Sequence, residues 1–188
     1  MKPEELNEIL KRHQAWLIGE EGGERADFQG ESLPNTDLRH ADLQHAILFE
    51  TELQQAILEK AILYKTDLRF AVLLKSDLRK AFLRETNLRY ANLEHADLHG
   101  ANLYRADMRG TDIDYASWPM WRGSLEAYVD DRIAIQLLYH TLSVVQHSPY
   151  VSEDVKEKLL TPEIVSLANR FHRALECGEI KEWEEGTK

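Results

Sequence analysis

Residues 86–105 read TNLRYANLEHADLHGANLYR, four successive copies of one five-residue unit. Each copy has a small residue first, Asp or Asn second, leucine third and two variable residues last. In both directions from this stretch the third position stays large and apolar, from Phe28 to Ile113, eighteen times without a failure. The small residue two positions earlier is interrupted only at Glu31. One rule therefore governs about half of the chain.

A period of five excludes an amphipathic helix and a flat strand as the form of this segment. On an α-helix, five residues advance the side chain by about 140°, so the leucines would spiral around every face. A chain that turns a corner every five residues can bury the large and the small side chain of each unit, and four corners close a coil. Successive coils would stack at about 4.8 Å. We expect a core that includes seven central leucines: Leu43, Leu48, Leu63, Leu68, Leu83, Leu88 and Leu103.

The corners of such a coil are restricted by composition. Residues 36–99 contain neither Gly nor Pro, the two residues that most tight turns use. The corners must therefore be of a kind that ordinary residues tolerate.

The five-residue unit resembles the A(D/N)LXX motif of the pentapeptide-repeat family, and the flanking sequences are similar to those of bacterial and prophage members. The resemblance implies an all-β solenoid, a right-handed quadrilateral β-helix of about four and a half coils. At the strand spacing this rod would be about 22 Å long. The expected organisation is an N-terminal helix and cap over residues 1–23, the β-helix over 24–118 and an α-helical region over 119–188.

Both flanks carry signals for structures that close the ends of a solenoid. Residues 3–19 predict a helix, with Pro in its first turn and Gly as its stop. Beyond the repeats, Trp118 keeps the five-residue register and Trp121 follows it, so we expect these rings to cap the last leucine layer. Further helices are expected from about Asp130 to His147, from Ser152, and from Thr161 to about Glu176.

Composition limits the classes of partner. The protein has 188 residues, and its 23 Lys and Arg are outnumbered by 33 Asp and Glu, a net charge of −10. This balance argues against direct nucleic-acid binding and against a basic membrane patch. No apolar run approaches the roughly 20 residues of a membrane span, and the N-terminal residues MKPEELNEIL lack a signal-peptide core. The one cysteine, Cys177, excludes a disulfide framework, so a cytoplasmic location is expected.

No catalytic constellation stands out in the sequence. Cys177 has no basic neighbour that would favour its thiolate, and phosphate-loop, G-x-S-x-G and H-E-x-x-H motifs are absent. We expect no enzyme activity, no metal and no cofactor. Four histidines fall at outward positions without converging, and we interpret them as solvated surface residues: His40, His45, His95 and His99.

Residues twenty apart would stack on the outside of the rod and form columns of arginine and aromatic residues. The three columns are Arg69, Arg89 and Arg109; Phe70 and Tyr90; and Tyr64, Arg84 and Tyr104. Two interpretations stay open. The columns stabilise the stack in the way that cross-strand pairs do, or they form a recognition surface, since Arg and Tyr are enriched at interface hot spots.

The middle coils depart from the motif in a way that would form an apolar girdle. Five units replace the Asp or Asn by a large apolar residue: Ile47, Ile57, Ile62, Val72 and Phe82. Ile62 and Phe82 would lie in consecutive coils on one face and form the best single patch. Because monomers rarely leave large apolar patches bare, we expect cover by a second copy in a homodimer, by the flanking helices or by a foreign partner.

Two functions are compatible with these features. The first is a non-enzymatic scaffold or inhibitor that binds a protein partner of unknown identity through the outer faces of the β-helix. The alternative is a DNA-mimicking inhibitor of a topoisomerase or an antiphage nuclease, as in the quinolone-resistance branch of the family. A mimic needs a continuous negative surface, yet residues 24–118 hold sixteen acidic and twelve basic residues, a net of only −4. We therefore favour the first function.

Overall fold

The computed structural model describes residues 1–118 and 127–170. The helices are α1 (Pro3–Leu17), α2 (Asp131–His147), α3 (Glu153–Leu159) and α4 (Pro162–Ala168). The protein divides into two compact units, Met1–Val129 and Asp130–Lys188. The first unit contains α1 and all of the five-residue repeats, and the second contains α2, α3 and α4.

The repeats form a β-helix whose coils are joined by parallel bridges between residues twenty positions apart. The bridging residue is the second of each unit, and its side chain points out of the rod. Four sets of bridges define four faces. Face I contains positions 27, 47, 67, 87 and 107; face II contains 32, 52, 72, 92 and 112; face III contains 37, 57, 77, 97 and 117; face IV contains 42, 62, 82 and 102. The two variable residues between consecutive faces form the corners.

Backbone hydrogen bonds join the coils in both directions, and leucine fills the interior. The N–H of Leu68 donates to the C=O of Asn87 at 2.8 Å, and the N–H of Asn87 donates to the C=O of Thr66 at 3.0 Å. All seven of the central leucines expected in the core are completely buried. Burial of each contributes roughly 1.5–3 kcal/mol, so the apolar column identified in the repeats is the main source of stability in the rod.

The corners use ordinary residues, but in a strained conformation. At every corner from Gly30 to Tyr115 the second variable residue has a positive φ, and fifteen of these residues are not glycine. Their φ values lie between 53° and 62°, in the left-handed region that L-residues rarely adopt. The corners from Gly30 to His95 are nevertheless each tied into the next coil, as where the N–H of Phe70 donates to the C=O of Arg89 at 3.1 Å. The repeated hydrogen bonds hold a backbone that a single free turn would avoid.

Threonine in the small-residue column adds another bond between coils. The buried hydroxyls of Thr51, Thr66, Thr86 and Thr111 each donate to a backbone carbonyl of the preceding coil, at 2.6–2.8 Å. Ser76 occupies the same column, but its buried Oγ has no hydrogen-bond partner. Threonine therefore does more at this position than fill the space of an alanine.

The helix α1 packs on the first coil of the rod. Its buried residues are Leu6 and His13, and His13 Nδ1 accepts a hydrogen bond from the N–H of Ala26 at 3.1 Å. The ring of Trp16 stacks on His13 with centroids 5.6 Å apart. The segment that joins α1 to the first coil passes so close to the helix that a Cβ at Gly23 would collide with the backbone of Trp16. The N-terminal helix is thus attached to the coil by a buried polar contact as well as by apolar packing.

At its other end the rod extends past residue 118, the boundary expected from the repeats. The N–H of Tyr128 donates to the C=O of Ala106 at 2.8 Å, and Tyr128 forms a parallel bridge with Asp107. This bridge joins residues 21 apart, so one residue is inserted relative to the regular coil, which hides the rung from a search at period five. Trp118 is half-buried, and Trp121 lies outside the described residues.

The second unit is a helical domain with its own small core. Asp130 caps α2, because its carboxylate accepts a hydrogen bond from the N–H of Ile133 at 3.0 Å. The helix α2 packs against α3 and α4. The buried apolar residues of this cluster are Tyr139, Leu142, Val145, Leu160, Val165 and Ala168.

The last two described helices differ in detail from the sequence-based expectation. Ser152 and Thr161 precede α3 and α4, but neither hydroxyl makes a capping hydrogen bond. The helix expected to continue to about Glu176 ends at Ala168. There the N–H of Arg170 donates to the C=O three residues earlier, at 3.2 Å, which tightens the final turn. Residues 171–188, with Cys177, lie outside the described residues.

Candidate interaction surface

Most Asp and Asn residues of the rungs bond the corner that follows them. Asn102 Oδ1 accepts a hydrogen bond from the N–H of Tyr104 at 3.0 Å, and Asn92 Oδ1 accepts one from the N–H of Glu94 at 2.8 Å. This arrangement is an Asx turn, in which the side chain takes over part of the work of a backbone turn. The outward Asp or Asn of the motif therefore has a local structural role.

In four units the rung aspartate also binds the arginine two residues later. The carboxylate of Asp67, for example, receives Arg69 Nε at 2.8 Å and a terminal guanidinium nitrogen at 2.7 Å. The hydrogen bond from Arg39 lowers the pKa of Asp37 to about 2. Burial acts to raise the pKa of Asp67, but the bonds and charge of Arg69 outweigh it and the pKa is lowered. The four pairs are Asp37 with Arg39, Asp67 with Arg69, Asp77 with Arg79, and Asp107 with Arg109.

Because of these pairs, the predicted arginine column at the corner between faces I and II is not a set of free cations. Arg69 and Arg109 turn towards their aspartates on face I and not straight into solvent. Arg89 follows an asparagine, and its guanidinium lies over the ring of Tyr90, 5.6 Å from the centroid. The three arginines are thus brought to one corner, but they do not form a column of free cations.

Aromatic rings stack along the same corner. Phe49 meets Phe70 edge to face with centroids 5.7 Å apart, and Phe70 stacks on Tyr90 at 5.1 Å. The ring of Tyr90 lies against Gly110 of the next coil, where a Cβ would collide with it. Phe70 and Tyr90 remain 47% and 52% exposed, so this ladder offers ring faces to solvent.

A longer ladder runs along the corner between faces IV and I. The Arg84 guanidinium lies 5.8 Å from the ring centroid of Tyr64 and 5.2 Å from that of Tyr104. The ring of His45 meets Tyr64 at 5.6 Å, and Trp16 of α1 meets His45 at 6.4 Å. The predicted alternation of tyrosine and arginine is present, and it continues without a gap to the N-terminal helix. Contacts on both sides restrict the rotamers of Arg84 before any partner arrives.

The apolar girdle occupies outward rung positions. Its four aliphatic members are half-buried, whereas Phe82 is 50% exposed. Asp and Asn accept a hydrogen bond from the backbone N–H two residues later, and none of these apolar side chains can do so. Each therefore loses a local interaction of about 0.5–1.5 kcal/mol. On face IV, Ile62 and Phe82 are bridged neighbours, with Asp42 before them and Asn102 after them. The loss of a stabilising bond at consecutive rungs favours a role for face IV outside folding.

The four outward histidines of the repeats do not assemble into a site. His40 and His99 are exposed, while His95 stacks on Tyr115 with centroids 4.8 Å apart. Within residues 1–118 and 127–170, no group of three or more His, Cys, Asp or Glu residues is arranged to hold a metal ion. In that same part of the protein, no helix is both long and apolar enough to cross a lipid bilayer.

Two contributors to the surface escaped the sequence reasoning. The Asp–Arg pairs have a clear signal, the spacing Asp-x-Arg, which could have been found by reading the second and fourth positions of the unit together. The extension of the ladder through His45 to Trp16 has no such signal, because it depends on where α1 packs.

Comparison with known proteins places the repeats in a family. The family model described as Pentapeptide repeats matches residues 24–59, 46–84 and 76–114, with eight copies. The pentapeptide repeat protein alr5209 from Nostoc PCC 7120 is 30% identical, with a TM-score of 0.52 over 64% of this chain and 93% of that chain. Rfr23, a pentapeptide repeat protein from the cyanobacterium Cyanothece 51142, is 25% identical, with a TM-score of 0.40 over 56% of this chain and 84% of that one.

A third solved structure has lower sequence identity. QnrB1, a plasmid-mediated fluoroquinolone resistance protein, is 17% identical, with a TM-score of 0.41 over 63% of this chain and 65% of that chain. No curated protein matches the sequence. The repeat pattern, the bridges at twenty-residue intervals and the match to alr5209 agree on a right-handed β-helix solenoid, and the chain belongs to the pentapeptide repeat family.

Proposed function

We propose that this protein is a non-enzymatic interaction scaffold or inhibitor that binds a protein partner through the outer faces of its β-helix. The observation that carries the proposal is the ladder at the corner between faces IV and I. Arg84, half exposed, is held between Tyr64 and Tyr104 by the contacts described above. Arg and Tyr dominate interface hot spots, and groups already ordered in the free protein lose little entropy on binding.

The construction of the rod supports the same function. Leucine fills the interior, so recognition falls to the outward residues, which stacked rungs hold in fixed register. Members of the pentapeptide repeat family are generally structural or interaction proteins and not enzymes. A rigid rod with ordered surface columns presents a defined pattern to another molecule.

The charge distribution favours a protein partner over the DNA-mimic alternative. A mimic must expose carboxylates in place of phosphates, but four rung aspartates are bound by arginine. Residues 24–118 carry a net charge of only −4. Mimicry of DNA therefore stays the second hypothesis.

The proposal is tested by affinity purification of the full-length protein from its native host, followed by mass spectrometry. We expect one protein to be retained by the wild type and lost with the double variant Arg84→Ala, Tyr104→Ser. The matched control is Gln54→Ala, Gln55→Ala at the corner between faces II and III, which should retain it. Saturable binding of that protein in purified form completes the test. If no protein is retained above the level of an unrelated bait, the scaffold proposal is wrong.

A further inference from the structure

Face IV differs from the rest of the rod in both charge and polarity. Face IV and its two flanking corners comprise positions 39, 40, 42, 44, 45, 59, 60, 62, 64, 65, 79, 80, 82, 84, 85, 99, 100, 102, 104 and 105. They hold seven Lys and Arg and three Asp and Glu, a net of +4. The other positions of residues 24–118 hold five basic and thirteen acidic residues, a net of −8. Two of the seven cations, Arg39 and Arg79, are paired with Asp37 and Asp77 of face III. With those two acids included the net charge is +2, so the strip remains positive on an acidic protein.

Phe82 lies in the middle of this strip. Its ring is 50% exposed, although Asn occupies the next rung of the same face and bonds its corner from there. Lys80 and Arg84 flank Phe82 two residues away on either side. Lys80 is exposed, and no carboxylate of the described residues lies within ion-pair distance of it. Arg84 is also a cation, and its Nε donates to the carboxylate of Glu85 at 3.2 Å. Two cations thus flank one exposed aromatic ring, and Lys80 is the one without an ion pair among the described residues.

The surroundings fix this arrangement. Arg84 is held between Tyr64 and Tyr104. On the other side, Gly100 leaves room for Lys80, since a Cβ at that glycine would lie 3.3 Å from Lys80 Cγ. The apolar patch continues from Phe82 to its bridged neighbour Ile62 in the preceding coil.

We propose that face IV binds an acidic segment of another protein, with an apolar residue of that segment on Phe82 and Ile62 and its carboxylates at Lys80 and Arg84. This inference rests on the proposed function and names the chemistry of the partner. Charge complementarity selects the occupant: the strip is positive, whereas the protein as a whole has a net charge of −10 and repels an extended polyanion.

A second copy of the protein fits this face poorly. In a two-fold dimer centred on Phe82 the same patch meets itself, which would bring the cations Lys80 and Arg84 of one copy against those of the other. Like charges at a contact oppose association. An acidic peptide meets no such opposition.

The test uses a phage-displayed library of random twelve-residue peptides panned against the immobilised full-length protein. The informative variant is Phe82→Asn, because Asn is the residue that the fold accepts at the next rung. The matched control is Val72→Asn, the same kind of change on face II, where Asn again occupies the next rung. Unchanged circular dichroism and melting behaviour verify that each variant folds.

We expect the enriched peptides to carry net negative charge and at least one aromatic or leucine residue. The most enriched peptide, synthesised with a fluorescein label and titrated by anisotropy, should bind at least tenfold more weakly to Phe82→Asn and to Lys80→Glu. Its affinity for Val72→Asn should match that for the wild type, and rising salt should weaken binding.

Four results would overturn the inference: no enrichment of acidic peptides, equal binding to Phe82→Asn, tighter Phe82-dependent binding of a single-stranded twelve-nucleotide DNA, or a wild-type dimer that Phe82→Asn dissociates. A host protein still bound by Phe82→Asn but lost with Arg84→Ala, Tyr104→Ser would leave the proposed function standing and remove only this assignment of its partner. Failure to retain any host protein would instead overturn the scaffold proposal itself.

Discussion

His13 Nδ1 accepts a hydrogen bond from the backbone N–H of Ala26 at 3.1 Å, which requires the imidazole to be neutral at the junction of α1 and the first coil. The ring is fully buried, its Nε2 has no hydrogen-bond partner, and Trp16 stacks on it. Burial lowers the pKa of His13 below its ordinary value of 6.5. The nearby charge of Asp42 opposes this shift, and that of Arg25 adds to it.

This contact predicts a loss of stability on mild acidification. The unfolded protein binds a proton at His13 near pH 6.5 and the folded protein binds it only at lower pH, so the stabilisation is complete above that range. It decreases as the pH falls through 6.5 towards the folded pKa. Urea unfolding at pH 7.5, 6.5 and 5.5 should show this slope. His13→Asn, which keeps an acceptor that does not titrate, should be less stable at pH 7.5 and show a shallower slope. An unchanged slope in the variant would contradict the assignment.

The small-residue column offers a matched pair of substitutions. Thr66→Val keeps the shape of the residue but removes the hydrogen bond from Thr66 Oγ1 to the C=O of Leu43, which is 2.7 Å long. We expect a loss of about 1 kcal/mol in the free energy of unfolding. Ser76→Ala removes a buried hydroxyl that has no partner, so stability should stay equal or rise. Equal losses for both variants would show that the hydroxyl bond has no energetic role.

The core of the rod could be predicted from the sequence because eighteen repeats follow the same pattern. That pattern alone places Leu68 and Leu88 in the interior, without knowledge of the rest of the fold. The position of the surface columns follows from the same period. The contacts that these residues make do not follow from it: Arg69 and Arg109 bind the aspartate two residues earlier in their own units, whereas Arg84 binds rings from two other coils.

The left-handed corners and the rung at Tyr128 were also beyond sequence reasoning. A residue such as Lys75, with a φ of 57°, has no intrinsic preference for that region, and only the hydrogen bonds of neighbouring coils impose it. Tyr128 lies 21 residues after its bridge partner Asp107 and so falls outside the five-residue register, and the pattern therefore ends before the rod does.

The corner at Lys75 predicts an unusual order of tolerated residues. Lys75 is exposed, and its N–H donates to the C=O of Glu94 in the next coil at 2.9 Å. Lys75→Asn should retain the stability of the wild type, because Asn adopts the left-handed region readily. Lys75→Val should lose about 1–2 kcal/mol despite being on the surface, since β-branching disfavours positive φ. Melting temperatures of the two variants provide the check, and equal values would contradict the strain.

Substitutions in the interior should lower the free energy of unfolding far more than substitutions at a neighbouring corner. Leu68 is completely buried, and Leu68→Ala should lower the free energy of unfolding by about 2–5 kcal/mol through lost transfer energy and a cavity. Leu68→Asp should prevent folding, because an unpaired carboxylate would enter the leucine column. The control is Leu74→Ala at a half-buried corner position, for which we expect less than about 1 kcal/mol. Normal melting of Leu68→Asp would mean that the core has been assigned wrongly.

The charge distribution predicts that the protein does not inhibit DNA supercoiling by a type II topoisomerase when present at low micromolar concentration. Competition with duplex DNA needs free carboxylates along the rod, but Asp67, Asp77 and Asp107 are engaged by the arginine of the same unit. Face IV and its corners are moreover positive. A gel-based supercoiling assay over a range of salt concentrations tests this. Potent inhibition that disappears in the variant Glu52→Gln, Glu94→Gln, with acids removed from face II and its corner, would promote DNA mimicry over the protein-binding scaffold.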